Sequence, residues 1–411
     1  MQYTSKEDLF LTIEEGDLPS PKYSRALLPL STGGLGLKGC LRYVTALDAL
    51  VVASSGHRKG AYLSSYREHM NRILLNLAQC MFSMEWLALP GDKTSYTKGK
   101  YWHDTCNMSY RPTRACVDYL KSEELVFFRA GYNNSMKGKS YSAKYFPTPE
   151  LQKQIFQVYL VSEVRIEPPY VLFNDATGDL EPSQHDIERM TRINVFMKDH
   201  NWACKSPFRL IYSGGINRGG RVDCRFSGVP SRKIPLRINT LIDGVPLVEV
   251  DYKANHLRMA MYIIGYDAPE DPYSVIDNAL PEPIGRDRIK QFMTTSLGSN
   301  SSEQAFSALK SYRFTRELFE SVKGTALEMF PRLPLFNDIG AHLQSIEGQI
   351  AIDIMLAGVE SGIPVLPVHD SFAVQRNHEE WLIKTMLSIW PKHVSFEEGA
   401  SVAYISVKRP S

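Results

Sequence analysis

Val245-Pro-Leu-Val-Glu-Val-Asp251-Tyr252-Lys-Ala-Asn-His256-Leu257-Arg258 is the stretch from which the fold can be read. An Asp243-Gly244 turn signal precedes it, and apolar residues then occupy both alternating sets, Val245 and Leu247 on one side, Val248 and Val250 on the other. That pattern predicts a strand buried on both faces and ending at Asp251. Helical spacing resumes from His256 to Ile264. Farther on, Ile284–Leu297 and Ala341–Glu360 are predicted helices, the second with Leu343, Ile346, Ile350, Ile354 and Ala357 on one stripe. Ile363–Val368 and Ser371–Val374 are short strands meeting at His369-Asp370. A strand, several helices and a hairpin carrying an acid at its turn predict an α+β domain with an antiparallel sheet.

Such a sheet brings together two acids that are distant in sequence, Asp251 and Asp370. Paired carboxylates repel one another unless cations bridge them. Mg²⁺ takes hard oxygen ligands and keeps positions open for phosphates. Two such ions about 3.5–4 Å apart activate an attacking hydroxyl and stabilise the leaving oxygen of an in-line phosphoryl transfer. Taken singly, Asp251 better suits a helix cap and Asp370 a turn, so the flanking residues decide.

Those residues form a series. Asp251-Tyr252-Lys-Ala-Asn-His256-Leu257-Arg258 resembles motif A of the family A (DNA polymerase I-like) enzymes, D-Y-S-Q-I-E-L-R, with Asp, Tyr, Leu and Arg in register. Val368-His369-Asp370-Ser371-Phe372 resembles their motif C, V-H-D-E. It is closer still to the H-D-S-F of the single-subunit RNA polymerases of bacteriophages and mitochondria. Asn217-Arg218-Gly219-Gly220-Arg221 resembles the (T/D)-x-x-G-R motif of both groups, and Arg286-Asp-Arg-Ile-Lys290 supplies the R-x-x-x-K of motif B. Residues i and i+4 share a helical face, so both cations can point at one triphosphate. Glu347-Gly348-Gln349-Ile-Ala-Ile-Asp353-Ile354 resembles the Q-G-x-A-A-D-I helix preceding motif C. The motifs follow the family's order over about residues 205–411.

The resemblance implies a right-hand polymerase: a palm with an antiparallel sheet, helical fingers and thumb, plus a small N-terminal domain. It implies a DNA-directed nucleotidyltransferase using two Mg²⁺ ions, with Mn²⁺ as a substitute, on a primer–template and nucleoside triphosphates. Asp251 and Asp370 would be catalytic metal ligands, with the Tyr252 carbonyl a third. Arg286, Lys290 and His256 would face the nucleotide; Arg218, Gly220, Arg221, Arg258, Glu347 and His369 would contact nucleic acid. Alternatives are an RNA polymerase or primase, a template-independent terminal transferase, and an inactive nucleic-acid-binding protein.

The sequence departs from the pattern at several positions. The family's lysine is followed by a Tyr-Gly pair; here Leu297-Gly298 arrive one residue early, so nucleotide selection must be built differently. Glu347 stands where the family has glutamine, and Asn217 where it has threonine or aspartate. His256 replaces the motif A glutamate that excludes a ribose 2′-hydroxyl. A bulky imidazole favours deoxynucleotides, although a core histidine satisfied by a neighbour would also fit.

Composition agrees with a folded globular chain: 411 residues, 43% hydrophobic and 22% charged, net charge only +2. The charge is unevenly spread, since Lys205, Arg209, Arg218, Arg221, Arg225, Arg232, Lys233 and Arg237 face Asp223 alone. That run contains the G-R motif and is expected to meet phosphates. The six cysteines lack a C-x-x-C pair and read as reduced thiols; His103, Cys106 and Cys116 lack a fourth ligand at zinc spacing. A polar N-terminus and the lack of a long apolar run predict a cytoplasmic protein without a membrane partner. Residues 1–190 are expected to form the accessory region and thumb, and 191–411 the palm and fingers. In the first part, helices are expected at Ser64–Leu89 and from Ser183 onward, with loops at Gly131–Lys139 and Pro147–Pro149. Asp186-Ile-Glu188 would be surface charge on the second helix.

Overall fold

The computed structural model describes residues 13–21, 24–26, 44–134, 139–156, 166–174, 181–213, 215–229, 231, 235–394 and 401–410. Cys40, Gly214, Arg232, Lys233 and the centre of the expected 131–139 loop lie outside them. Among the described residues no helix is long and apolar enough to cross a membrane.

The chain forms two compact units. The first comprises Met1–Val164, Ala203–Lys205 and Gly228–Thr240; the second comprises Arg165–Trp202, Ser206–Ser227 and Leu241–Ser411. The division falls earlier than residue 190, because the helix expected from Ser183 packs within the second unit. The basic run is also split, with Lys205 and Arg237 in the first unit and Arg209, Arg218, Arg221 and Arg225 in the second. Arg237 is buried and donates to the Val229 carbonyl, so it is structural rather than phosphate-facing.

In the first unit, β1 (Ser24–Ala26), β2 (Trp86–Leu89), β3 (Val126–Arg129) and β6 (Ala143–Pro147) form a sheet ordered β1-β2-β6-β3, parallel only between β1 and β2. β4 (Tyr132–Asn134) and β5 (Lys139–Tyr141) pair as a hairpin where a loop was expected. Helices α1 (Val44–Ser55), α2 (Gly60–Ser83), α3 (Tyr101–Asp104), α4 (Tyr110–Ser122) and α5 (Pro149–Phe156) complete the unit. The apolar stripe of α2 ends sooner than its spacing suggested. Met84 turns left-handed (φ 52°) and its amide returns to Cys80 and Met81, so Trp86 enters β2 instead of extending the helix.

The second unit is α+β, with two sheets and eight α-helices among its described residues. β7 (Val171–Asn174), β8 (Arg209–Ser213) and β9 (Gly219–Asp223) make one sheet. In the other, β11 (Val245–Tyr252) follows the short β10 (Leu241–Ile242) and lies antiparallel to both β13 (Ser371–Gln375) and β14 (Ile405–Lys408), with β12 (Leu366–Val368) outside β13. Leu247–Val250 are all buried, as both alternating sets demanded. Helices α6 (Gln184–Lys198), α7 (Asn255–Ile263), α8 (Pro272–Ala279), α9 (Arg286–Leu297), α10 (Ser302–Leu309), α11 (Arg316–Met329), α12 (Gly340–Ser361) and α13 (Glu379–Val394) surround these sheets. Ser183 caps α6, its hydroxyl accepting the Asp186 amide at 3.1 Å. Asp186 is not surface charge: it is buried, accepts from Tyr212, and pairs with Arg189, which also donates to Gln349 on α12.

Candidate active site

Asp251 and Asp370 are neighbours because β11 and β13 pair. Asp251 lies opposite Ser371, and the Tyr252 amide donates to the Asp370 carbonyl at 3.1 Å. Val368 and Ser371 close a two-residue turn in which His369 takes a left-handed conformation, φ 57°. That conformation is unfavourable for a residue with a Cβ. It is the shape that aims the Asp370 side chain beside the end of β11.

Both acids hold their protons more tightly than free carboxyls do. Burial first, then the charge of Asp370, push Asp251 up to about 7, with Glu249 adding and Lys408 and Lys290 opposing. Asp370 is also raised, by burial first and then by Glu347, against His256 and Lys290. Such a pair gains most from a cation that removes the repulsion. Among the described residues no group of three or more His, Cys, Asp or Glu side chains is arranged to hold a metal. Two carboxylates with positions left for phosphate oxygens is, however, how Mg²⁺ is commonly held.

A third acid stands on the same strand. Glu249 is two residues before Asp251 and therefore on the same side of β11. It is almost fully buried, accepts from the Ser371 hydroxyl at 3.2 Å and lies 3.0 Å from Lys408 Nζ, which is 3.9 Å from Asp251. Period-two alternation could have flagged Glu249. Lys408 enters through β14, whose pairing with β11 has no local sequence signal.

Beside the acids, Glu347 of α12 gathers three partners. Its carboxylate lies 3.1 Å from Arg221 Nε on β9 and 2.9 Å from His256 Nε2 on α7, with the Asn255 amide at 3.4 Å. Burial alone would raise this carboxyl; the His256 contact and the Arg221 charge outweigh it and hold it below the usual range. Expected to touch nucleic acid, Glu347 is 4% exposed and enclosed by its own chain. His256 is thus held by a neighbour, yet its side chain remains 20% exposed.

Gly220 was expected to contact nucleic acid. It is buried instead, with a positive φ of 71°, and a Cβ there would meet the Tyr212 ring at 2.8 Å. Its carbonyl faces Gly348 of α12, where a Cβ would stand only 1.6 Å from the oxygen. The glycine therefore serves a contact within the protein. The register of β8 and β9 shifts at this point, as a bulge requires.

On α9, Lys290 is exposed, and its charge reaches both acids. Arg286 is occupied: Nε lies 2.7 Å from Asp271 and the guanidinium stands 5.3 Å above the Tyr273 ring. Burial would raise Asp271, but the Arg286 and Ser274 hydrogen bonds outweigh it and hold its carboxyl below the usual range. Arg218 pairs with Asp338 at 2.5 Å on the surface.

Arg258, expected to contact nucleic acid, is internal. It is 1% exposed and donates to the carbonyls of Ala268, Pro269, Glu270 and Lys253, with Tyr404 stacked at 4.5 Å. It ties the loop after α7 together and presents nothing to nucleic acid. The Tyr252 phenol is likewise internal, donating to the Met386 carbonyl at 2.8 Å, so only its backbone is available near the acids.

No protein-family model and no curated protein matches the chain. Among solved structures it is similar to the POL domain of Pol1 from M. smegmatis, in complex with DNA primer–template and dNTP. The identity is 10% and the TM-score 0.34, over 88% of this chain and 68% of that one. A superposition this loose carries no weight in assigning a function.

Proposed function

We propose that this chain is a template-directed nucleic-acid polymerase, with β11–β13 as its palm, α9 among its fingers and the first unit as thumb and accessory region. The observation that carries the proposal is the placement of Asp251 and Asp370 side by side, each raised by burial and neighbouring charge, within reach of the Lys290 charge. The all-oxygen donor pair suits Mg²⁺, or Mn²⁺ in its place. Bound there, the ions would activate a primer 3′-hydroxyl and stabilise the leaving pyrophosphate oxygen. Lys290 and Arg286 bind the triphosphate, Arg286 exchanging Asp271 for phosphate. Arg221 and His369 flank the primer end. His256, braced by Glu347, stands against the sugar, and its bulk favours deoxynucleotides.

The test is extension of a labelled primer on a template with Mg²⁺ and either dNTPs or rNTPs, with Asp370→Asn as control. Template-dependent extension that Asp370→Asn abolishes is expected. A wild type that binds primer–template yet extends nothing refutes the enzyme; extension without a template refutes template direction. His256→Ala is expected to raise ribonucleotide incorporation, and an unchanged dNTP/rNTP ratio removes His256 from sugar selection.

A further inference from the structure

A cavity of about 200 Å³ opens next to the turn that carries His369, lined by Ser213, Arg221, Asp223, Gln344 and His369 among others. His369 is the turn partner of Asp370, and Arg221 is the residue that pairs with Glu347. Neither Asp251 nor Asp370 lines it. Given the polymerase function proposed for this chain, on which the assignment of the cavity rests, this is the place of the primer's terminal nucleotides. Arg221, His369 and Gln344 suit phosphate and base acceptors. Asp223 does not. Two residues after Arg221 on β9, it points to the same side; burial raises its carboxyl, and the Ser227 hydroxyl, donating to Oδ1 at 3.3 Å, occupies only part of its acceptor capacity. An ionised carboxylate only accepts hydrogen bonds and repels phosphate.

On its minor-groove side a DNA duplex gives such a group little to accept from. The minor groove offers acceptors throughout, with the guanine amino group its one donor. The terminal 3′-hydroxyl is the attacking group and belongs beside Asp251 and Asp370. A polymerase must extend every terminal base, so a partner found only on guanine cannot serve. The ribose 2′-hydroxyl is a donor present on every nucleotide of an RNA strand and on none of a DNA strand.

We infer that the Ser213–Arg221–Asp223–His369 cavity is a ribose-recognising site for the primer end, with Asp223 accepting the 2′-hydroxyl, so that the enzyme prefers RNA-ended primers. Hydrogen bonds to charged groups are strong enough for a preference of about tenfold or more.

The experiment compares the full-length protein on one template with primers identical except at the last two sugars: deoxyribose, ribose or 2′-O-methylribose. Each is run with terminal A, C, G and U/T. Ribose ends are expected to be extended about tenfold or more faster per primer bound, for all four bases, with 2′-O-methyl ends behaving like DNA. In Asp223→Ala the ribose/deoxyribose ratio falls toward one; in Asp223→Asn, which keeps an acceptor oxygen, part of it survives. Equal extension of RNA and DNA ends by the wild type overturns the inference while leaving the polymerase reading standing. So does a preference confined to guanine, or a ratio unchanged in Asp223→Ala. Failure to extend any primer overturns both.

Discussion

Replacing Gly348 by alanine tests the contact that positions Glu347 and Arg221. The added Cβ would lie 1.6 Å from the Gly220 carbonyl oxygen, 2.7 Å from its carbonyl carbon and 3.5 Å from Arg221 Cα. An ordinary carbon–oxygen contact is about 3.3 Å, so α12 must withdraw from β9 by roughly 1.7 Å. Both sides of the clash are backbone, which no rotamer change relieves. Overpacking of this kind costs about 1–3 kcal/mol and sometimes more; the size of the overlap places Gly348→Ala near about 3 kcal/mol. For a unit of this size each kcal/mol moves the thermal midpoint by about 2–4 °C, so a fall of about 6–12 °C is expected by calorimetry. The natural control is Gly324→Ala on α11, where nothing lies within 4 Å of the new methyl and the backbone is helical. It is expected to stabilise by roughly 0.4–1 kcal/mol. A Gly348→Ala midpoint equal to wild type or to Gly324→Ala would refute the packing argument.

Asp251 binds its proton more tightly in the folded chain than in the unfolded one. The metal-free protein is therefore expected to lose stability as pH rises from the ordinary carboxylate range toward about 7. Added Mg²⁺ should raise the midpoint more at pH 8 than at pH 5, and Asp251→Asn should raise the metal-free midpoint at pH 8 while abolishing the Mg²⁺ response. A Mg²⁺ shift independent of pH would contradict this. Arg258→Met strands the carbonyls of Ala268, Pro269 and Glu270, and is expected to destabilise by about 3 kcal/mol in denaturant titrations. Weaker nucleic-acid binding at full stability would restore Arg258 to the interface. Asp271→Asn keeps an acceptor for Ser274 but releases the charge on Arg286. Since both groups are partly exposed, nucleotide KM should fall by no more than about fivefold, with an unchanged KM showing that the pair does not compete with substrate.

Much of the second unit was legible because its signals are local. Val245–Tyr252, the His369–Asp370 turn, α7, α9 and α12 all lie where periodicity and turn residues put them. The order of short motifs then singled out two acids that the fold does bring together. What escaped were relations between distant segments. Arg258 looks like any motif cation until four carbonyls from later in the chain, or just before it, are seen to enclose it. Glu347 was assigned to nucleic acid by its motif alone, yet β9 and α7 close over it. Gly220 was assigned to a ligand because sequence shows only that a glycine is needed, not what approaches it. The first unit was less legible. The stripe that suggested one helix to Leu89 is shared between a helix and a strand, and only the left-handed Met84 separates them.

The paired arginines bear on how binding responds to ionic strength. Arg218 and Arg221 each already face a carboxylate of the chain: Asp338 and Glu347. A polyanion that takes up these cations exchanges partners instead of neutralising bare charge, and each displaced carboxylate gathers counterions from solution. The logarithmic salt slope of association, which ordinarily counts phosphates neutralised, should then be shallower than the number of arginines at the interface suggests. Replacing Asp338 by asparagine should steepen it.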